Sequence, residues 1–320
     1  MRAVVLRAFG PPDALAVEEV ADPVAGPGQV LIEVAAASVV FVDTQVRAGN
    51  PPAPARRPAL PFIPGNGVGG VIRAAGPGAD SGLLGARVVS TTGGRGGYAE
   101  LAAVDAAEPI VIPGSLGIEV ATALLADGRT AVGLTSAARP AAGEWVLVEA
   151  AGGGLGTLLV QLASAVGARV VAAASSPAKR RAAAAAGAEV TVDYTEGGWP
   201  DRVREAAGAV DVVYDGVGGD IGRAALGLVR DGGRFVVHGM ASGAVTEPPA
   251  GEAARLQVIG LGAASRPPRE LSGLALAEAA AGRLRPTIGQ TFPLAEAAAA
   301  HAAIERRATV GKTLLIPGRR

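Results

Sequence analysis

The sequence contains no cysteine, only two histidines (His238 and His301) and just 3% aromatic residues. Without cysteine the chain can form no disulfide, no thiolate nucleophile and no thiolate zinc site. The two histidines stand far apart in unlike contexts, which excludes a metal site built on several histidine ligands. Because single-stranded nucleic acid is often bound by stacking bases on aromatic side chains, the low aromatic content also argues against nucleic-acid binding.

An excess of charge of one sign and long apolar runs are missing as well. Lys plus Arg and Asp plus Glu number 29 each, so no strong field attracts nucleic acid or an anionic membrane. The longest nearly apolar run, 34–42, is far shorter than the ~20 residues of a membrane-spanning helix. Residues 1–7 alternate polar and apolar and lack the apolar core of a signal peptide. These features predict a cytoplasmic protein that binds neither nucleic acid nor membrane.

The sequence is rich in apolar residues (49% of 320), arranged in two contrasting patterns that suggest about two domains. From residue 1 to about 121, short strands alternate with Pro-Gly turns, which indicates a β-rich domain. From about 122 to 262, strands and helices alternate, which predicts a parallel sheet with helices on both faces. The remaining residues predict two alanine-rich helices and a closing strand, at 270–282, 294–306 and 312–316.

Individual elements follow from apolar periodicity and from glycine and proline punctuation. The strands expected in the first region are 3–6, 29–34, 70–73 and 86–89, and the proline-rich stretch 49–64 is expected to be an irregular loop. The strands expected in the second region are 145–150, 169–174, 189–192, 210–214, 234–238 and, at the sheet edge, 256–260. Helices are expected there at 175–186 and 221–229.

The most informative stretch is the glycine cluster that follows the apolar run at 145–150. A strand, a glycine turn, a helix and a second strand within ~30 residues form the unit that binds dinucleotides. In the pattern Ala151-x-Gly153-x-x-Gly156, Gly153 allows the backbone to approach a pyrophosphate, and Gly156 allows the helix to pack closely on its strand. Ala151 replaces the usual first glycine, and a purely structural turn is the alternative interpretation.

Four separated segments resemble one known family in their order and spacing. They are Pro-Gly-Asn-Gly-Val-Gly-Gly-Val at 64–71, Gly-Gly-Tyr-Ala-Glu at 96–100, Ala-Ala-Gly-Gly-Gly-Leu-Gly at 150–156 and Arg-Ala-Thr-Val-Gly-Lys at 307–312. Over essentially the whole chain they resemble the zinc-free quinone oxidoreductase (zeta-crystallin-like) branch of the medium-chain dehydrogenase/reductase superfamily. The absence of cysteine agrees independently with a zinc-free branch.

This resemblance implies an α/β fold in which a Rossmann-type doubly wound parallel sheet is inserted into a β-rich GroES-like catalytic domain. The implied boundaries are 1–121 plus 263–320 for the catalytic domain and 122–262 for the cofactor-binding domain. The resemblance also implies NADPH as reductant and a homodimer. Because an unpaired strand invites pairing with its twin, we expect the edge strand at 256–260 to form the dimer contact.

The charge pattern after the second strand of the dinucleotide unit favours NADPH over NADH. An NAD site usually has an acidic residue about 20 residues after the glycines, where it holds the ribose 2′-hydroxyl. Ala174, Ser175 and Ser176 occupy that position here, and Lys179 follows with two arginines. No acid is present to repel a 2′-phosphate, although a solvated basic helix start would give the same pattern. The resemblance adds the residues that clamp this phosphate in similar enzymes, here Lys179, Tyr194 and Arg307.

Further cofactor contacts are implied by the resemblance. Thr130 matches a threonine near the nicotinamide, although Thr135 competes for the same alignment. His238 matches an apolar or aromatic neighbour of the cofactor, with a general acid as the alternative, whereas His301 is expected to be structural or exposed. The complete expected cofactor-binding set is Phe41, Thr130, Gly153, Gly154, Leu155, Gly156, Ser175, Ser176, Lys179, Tyr194, Val217, His238, Gly239, Ser242, Gly243 and Arg307.

The chain departs from the family pattern where substrate would meet the nicotinamide. Members of the branch usually have Asn-Phe-x-Asp-x-Tyr, whereas residues 40–45 read Val-Phe-Val-Asp-Thr-Gln. Val40 cannot hydrogen-bond a carbonyl, but Gln45 can donate through its amide. Asp43 is interpreted as a structural carboxylate that holds the turn, with a catalytic acid as the alternative.

The sequence therefore predicts an NADPH-dependent reductase of quinones or α,β-unsaturated carbonyls that needs no metal. Donors aimed at the substrate oxygen would stabilise the charge that hydride addition creates, and Gln45 and Thr130 are the candidates, with water as proton source. Two alternatives remain: an enoyl-thioester reductase of the same fold, and a catalytically silent NADPH-binding sensor. The thioester alternative is weakened because no basic patch for a carrier is evident.

Overall fold

The structure is a computed structural model that describes residues 1–51 and 57–318. By their internal contacts these residues form two compact units, Met1–Ala126 with Ile288–Arg320 and Asp127–Thr287. The loop expected at 49–64 lies partly outside the described residues, and its described part after 57 is irregular apart from isolated bridging. No helix of the described residues has the length and apolarity that crossing a membrane requires.

The strands and helices are as follows in chain order. The strands are β1 (Arg2–Leu6), β2 (Leu15–Glu19), β3 (Gln29–Val39), β4 (Gly67–Ala75), β5 (Arg87–Thr91), β6 (Leu101–Asp105), β7 (Ile110–Val111), β8 (Trp145–Val148), β9 (Arg169–Ala173), β10 (Val190–Val192), β11 (Val210–Asp215), β12 (Val229–Val237), β13 (Gln257–Gly260), β14 (Ile288–Pro293) and β15 (Lys312–Ile316). The helices are α1 (Phe41–Ala48), α2 (Ile118–Ala138), α3 (Gly154–Ala165), α4 (Pro177–Ala185), α5 (Trp199–Ala207), α6 (Gly219–Leu226), α7 (Ala250–Arg255), α8 (Pro268–Ala280) and α9 (Ala297–Glu305).

The first unit is built on a largely antiparallel sheet with the order β14-β15-β3-β4-β5-β7, and β6 also pairs with β3. Strands β1 and β2 form a separate hairpin. The long strand β3 is central because it pairs with β4, β6 and β15. Its inward side chains alternate along the strand, and Val30, Ile32 and Val34 are buried in the core of this unit. The alternation is what a strand with one buried face requires.

The second unit contains a parallel sheet with the order β10-β9-β8-β11-β12-β13. From β8 the chain adds β9 and β10 on one side, then returns and adds β11, β12 and β13 on the other. The order therefore reverses between β8 and β11. In doubly wound sheets, ligands bind at this reversal, outside the carboxyl ends of the strands. The predicted α/β class, with a Rossmann-type sheet in the second unit and a β-rich first unit, is confirmed, and β13 is an edge strand as the sequence predicted.

Several element boundaries were predicted wrongly, for local reasons. The helix expected at 221–229 is α6, which ends at Leu226 because Gly227 caps it and β12 begins at Val229. The helix expected at 294–306 starts as a 3₁₀ turn after Pro293, and α9 begins only at Ala297.

The units place one element differently from the domain boundaries that the sequence suggested. Helix α8 belongs to the second unit, which ends at Thr287, whereas those boundaries assign residues after 262 to the catalytic domain. The boundary between the units at Ala126 falls within α2. The assignment of catalytic and cofactor-binding domains by residue number remains a proposal.

Candidate active site

The glycine turn after β8 is shaped by close backbone contacts. Ala150 has a left-handed φ of +47°, which is unusual for a residue with a side chain. A methyl group on Gly156 would overlap the Ala150 carbonyl oxygen and lie 2.7 Å from Ala151 Cα, so helix α3 can approach its strand only with glycine here. A methyl group on Gly152 would lie 2.7 Å from Lys179 Cα, so the turn also packs directly on α4.

Gly153, in contrast to Gly152 and Gly156, is loosely surrounded by the protein. A methyl group there would meet only the Ala150 carbonyl oxygen, at 3.3 Å. Gly153 is the N-cap of α3, and it has no side chain to cap the first turn, formed by Gly154, Leu155 and Gly156. The N–H groups at a helix start have no partner within the helix and favour an anion. The start of α3 at Gly153 therefore lies at the point where the sheet order reverses, and a helix start of this kind can receive an anion.

The ends of β9 and β10 carry hydroxyl and basic groups. Ser176 caps α4, and Lys179 Nζ donates to Ser175 Oγ at 3.2 Å. Arg180, by contrast, is bound to the Asp193 carboxylate at the end of β10. No acidic residue follows β9 at Ala174 or the two serines. The buried Tyr194 follows Asp193, so the expected phosphate contacts of this unit lie on two neighbouring strand ends.

The loops after β11 and β12 are joined through backbone hydrogen bonds. The Ser242 N–H donates to the Val217 carbonyl at 2.8 Å, and the His238 N–H donates to the Asp215 carbonyl at 2.9 Å. Gly239 packs on the β11 loop so closely that a methyl group there would lie 2.8 Å from Gly216 Cα. The expected contacts on these loops are thus brought together at the carboxyl edge of the sheet; they are Val217, His238, Gly239, Ser242 and Gly243.

Two buried carboxyl groups under these loops were missed by the sequence analysis. Glu149 follows β8 and Asp215 ends β11, and both are 0% exposed. Burial, then the adjacent Asp215 charge, raises the pKa of Glu149 well above its ordinary value. Burial also lowers the pKa of His238 to about 4, against the opposing effect of Asp215, so His238 is neutral at physiological pH. The sequence feature that could have revealed this pair is an acidic residue at the end of each of two predicted apolar strands.

In the first unit, helix α1 carries the expected substrate-side residues. Phe41 begins the helix and Gln45 lies one turn later, where its amide donates to Thr44 Oγ1 at 3.2 Å. Asp43 Oδ2 accepts from the Val40 N–H at 2.9 Å, so this carboxylate holds the turn, as the sequence interpretation favoured. Burial raises the pKa of Asp43 to about 6, with the hydrogen bonds that it accepts acting in the opposite direction.

The Asp43 carboxylate is the end of a buried network that joins separated motifs. Tyr98 OH donates to Asp43 Oδ2 at 3.0 Å and lies 3.1 Å from His301 Nε2. Gly65, with φ of +95°, packs on the Tyr98 ring, since a methyl group there would lie 2.8 Å from Cε1. From the sequence, His301 is expected to be either structural or exposed. It is 0% exposed and therefore structural. Burial, and then the Arg47 charge, lowers the pKa of His301 to about 3.

The remaining expected residues lie on separate elements. Thr130 is half-buried on α2, whereas Thr135, the competing alignment, lies against the buried Tyr214 hydroxyl. Arg307 follows α9 in the first unit with a left-handed φ of +54°. Phe41, Gln45 and Arg307 thus belong to the first unit, and the other members of the expected set to the second.

The buried His301 makes a testable prediction about acid stability. The unfolded imidazole takes up a proton near pH 6.5, whereas the folded one does so only near pH 3, so stability falls as pH decreases through 6.5. His301→Gln removes this titration and keeps an N–H donor for Tyr98. We expect the stability of the natural protein relative to this variant to decrease by ~2 kcal/mol between pH 7 and pH 5. Urea unfolding at both pH values checks this, and a pH-independent difference would contradict it.

Family models match both parts of the chain. The model described as "Zinc-binding dehydrogenase" matches residues 154–275, and the model described as "Alcohol dehydrogenase GroES-like domain" matches 26–114. Among residues 1–51 and 57–318, no group of three or more His, Cys, Asp or Glu side chains could hold a metal ion.

Full-length relatives agree with these matches. A quinone oxidoreductase of Mus musculus is 34% identical, covering 99% of this chain and 98% of the relative, and a 2-haloacrylate reductase of Burkholderia sp is 33% identical, covering 98% of both. The structure of Escherichia coli quinone oxidoreductase complexed with NADPH superposes with a TM-score of 0.89 at 28% identity, covering 99% and 100% of the two chains. That of an NAD-dependent alcohol dehydrogenase superposes with a TM-score of 0.88 at 30% identity and the same coverage. The predicted resemblance is confirmed: the chain belongs to the zeta-crystallin-like quinone oxidoreductase branch of the medium-chain dehydrogenase/reductase superfamily, a family of oxidoreductases.

Proposed function

We propose that this protein is an NADPH-dependent reductase of quinones or α,β-unsaturated carbonyls that works without a metal. The observation that carries the proposal is the open glycine turn at the reversal of the parallel sheet, with Ser175 and Lys179 beside it. The relatives support it by name, since one is a quinone oxidoreductase and another reduces 2-haloacrylate, in which an alkene is conjugated to a carboxyl group. The NADPH complex of the Escherichia coli enzyme adds support for the cofactor.

The residues of the second unit fit a pyrophosphate at the glycine turn. The open backbone at Gly153 and the start of α3 would receive the phosphate oxygens, because a methyl group there would have almost no protein neighbours. Val217, Gly239 and Ser242 lie on the loops across the reversal of strand order, where the nicotinamide half of such a cofactor extends.

The preference for the phosphorylated cofactor rests on charge at the end of β9. Lys179 Nζ already lies on Ser175 Oγ, so an ammonium and a hydroxyl converge where an NAD site would have a carboxylate. The acid of the neighbouring strand end, Asp193, is ion-paired with Arg180. A 2′-phosphate would therefore meet donors and a positive charge, with Tyr194 and Arg307 assigned to the same phosphate by the family resemblance.

When bound, NADPH supplies a hydride to the substrate. The chain's own part is to stabilise the negative charge that appears on the substrate oxygen, and we assign this to the Gln45 amide and the Thr130 hydroxyl. Among the described residues the Gln45 amide donates only to the neighbouring Thr44 hydroxyl, at 3.2 Å, so it can turn to a substrate. Asp43 is committed to Val40 and Tyr98, which disfavours it as the acid and leaves water as the proton source.

Two other functions would use the same fold. Reduction of an enoyl thioester would need basic groups for a carrier, and the sequence shows no evident patch of this kind. A silent NADPH-binding sensor is motivated by Val40 and Gln45, which replace the usual asparagine and tyrosine. Catalysis is the better-supported function because Gln45 retains a donor at one of the two altered positions.

We also propose that the protein is a homodimer joined through β13. This strand is one of the two edge strands of the parallel sheet, the other being β10. Val258 in β13 and Leu261 directly after it expose 43% and 57% of their surface. An exposed apolar edge strand favours pairing with a second copy. Size-exclusion chromatography that showed only monomer would remove this proposal.

The cofactor assignment predicts a selective effect at Lys179. Lys179→Met removes the ammonium but keeps the aliphatic chain, so the Kd for NADPH should rise about 10- to 100-fold while that for NADH stays within about 3-fold. Arg204→Met, which removes an exposed cation on α5, is the matched control and should change neither. Fluorescence titration of all three proteins measures this. Equal losses for both cofactors, or tighter binding of NADH by the natural protein, would contradict the assignment.

The substrate assignment predicts turnover of conjugated carbonyls that depends on Gln45. NADPH oxidation should be observed with quinones and simple enones and be weaker with enoyl thioesters. Gln45→Ala should lower kcat about 10-fold or more and leave NADPH affinity unchanged, because the amide acts on the substrate oxygen. Intact NADPH binding with no turnover of any compound would favour the sensor, and unchanged turnover in Gln45→Ala would reject the role of this residue.

A further inference from the structure

Glu149 and Asp215 form a pair of buried acids beneath the candidate cofactor site, and the function proposed above uses neither. They leave neighbouring parallel strands, β8 and β11, at the same edge of the sheet. The Val217 N–H donates to Glu149 Oε2 at 3.2 Å and to Asp215 Oδ1 at 3.1 Å. Since one N–H serves both carboxyl groups, their oxygens lie against each other. Asp215 Oδ1 also accepts from the Gly218 N–H at 2.7 Å.

Among the described residues, the one charged group that acts on the pKa of Glu149 is Asp215, and the nearby imidazole of His238 is neutral. From the segment after β12, Thr246 contributes a hydroxyl. Within the same part of the chain, Glu149 Oε1, Asp215 Oδ2, Thr246 Oγ1 and His238 Nε2 are buried without a hydrogen-bond partner. Two adjacent buried negative charges without a counter-charge are strongly unfavourable.

We propose that Glu149 and Asp215 share one proton, and that this acid–carboxylate hydrogen bond positions the turn at 215–219 for the cofactor. Glu149 is the acid and donates its O–H to Asp215. Asp215 accepts this O–H together with the N–H groups of Val217 and Gly218. Glu149 is thus a positioning residue, and its effect on the cofactor rests on the proposed NADPH site.

The geometry explains why the shared proton would matter to the site. Asp215 is the last residue of β11, and its side chain fixes the two N–H groups that follow it. The same turn is bonded to the β12 loop, since the Val217 carbonyl accepts from Ser242. Removal of the proton would place two negative charges side by side, and the turn would have to move to separate or hydrate them.

The sign of the pH effect follows from the raised pKa of Glu149. Its stabilising contribution is complete below the ordinary value of 4.5 and is lost as pH rises towards the folded value, because the unfolded chain releases this proton first. Glutamine at 149 cannot titrate, yet its amide N–H can replace the acid's O–H towards Asp215. Glu149→Gln should therefore keep the turn and remove the loss of stability with pH.

The experiment compares the natural protein with Glu149→Gln and Glu149→Ala, using Glu205→Gln as control, because Glu205 is exposed on α5. In the cofactor-free proteins, we compare the Tm of Glu149→Gln with that of the natural protein. We expect this Tm difference to increase in favour of Glu149→Gln by about 3 °C or more as the pH rises from 5.5 to 8.5. Glu205→Gln should show no such gain. The infrared difference between the natural protein and Glu149→Gln at neutral pH should contain the carbonyl band of a protonated carboxylic acid.

NADPH titration gives the functional readout. Glu149→Gln should bind NADPH within about 3-fold of the natural protein, whereas Glu149→Ala should bind about 10-fold more weakly because it supplies no donor to Asp215. A Tm difference between Glu149→Gln and the natural protein that stays constant with pH would contradict the sharing of a proton. The absence of the infrared band of a protonated carboxylic acid would contradict it as well. Equal NADPH affinity of Glu149→Ala and the natural protein would overturn the positioning role.

These outcomes are separable from a failure of the proposed function. If the natural protein did not bind NADPH, the proposed function and the positioning role would fall together. The Tm and infrared measurements need no cofactor and would still decide whether the two acids share a proton. If Glu149→Ala failed to fold, the comparison of Glu149→Gln with the natural protein would decide the proton sharing, and NADPH binding weakened 10-fold in Glu149→Gln would reject the positioning role.

Discussion

The close approach of α3 to the end of β8 is the contact on which the second unit's candidate site depends. Gly156 allows the helix to lie against the Ala150 carbonyl, and this fixes where the first turn of α3 points. The direction matters because the N–H groups at a helix start favour a phosphate only when they face open space, and a methyl group on Gly153 would meet little of the described protein. The reversal of strand order at β8 and β11 then places the loops of β11 and β12 beside this turn.

In the first unit, a polar network holds the start of α1 in place. Asp43 holds the start of α1, Tyr98 holds Asp43, and Gly65 leaves room for the Tyr98 ring. Gly65 and Tyr98, which lie in two of the segments that carry the family resemblance, therefore act by packing one buried ring. Gln45 is presented by the helix that this network anchors, so a change in substrate preference at 40 and 45 need not disturb the fold.

The predictable features were those with a local steric cause. The turn at 150–156 could be predicted because glycine spacing indicates close backbone approach. The parallel sheet could be predicted because its central strands β8, β9 and β11 are mostly apolar. The Glu149–Asp215 pair could not be predicted, because two single acids 66 residues apart become neighbours only when β8 lies beside β11.

The central claim is that the backbone at Gly153 receives the pyrophosphate of a nicotinamide cofactor. Calorimetric titration of Gly153→Ala with NADPH tests it most directly, because φ of −85° suits alanine. Among the described residues, a methyl group here would contact only the Ala150 carbonyl oxygen, at 3.3 Å, and a shift of a few tenths of an ångström would relieve that contact. We predict an unfolding temperature close to that of the natural protein and a Kd for NADPH raised about 10-fold or more, since the methyl group would stand where phosphate oxygens must approach. A fully folded Gly153→Ala that binds NADPH as tightly as the natural protein would contradict the claim.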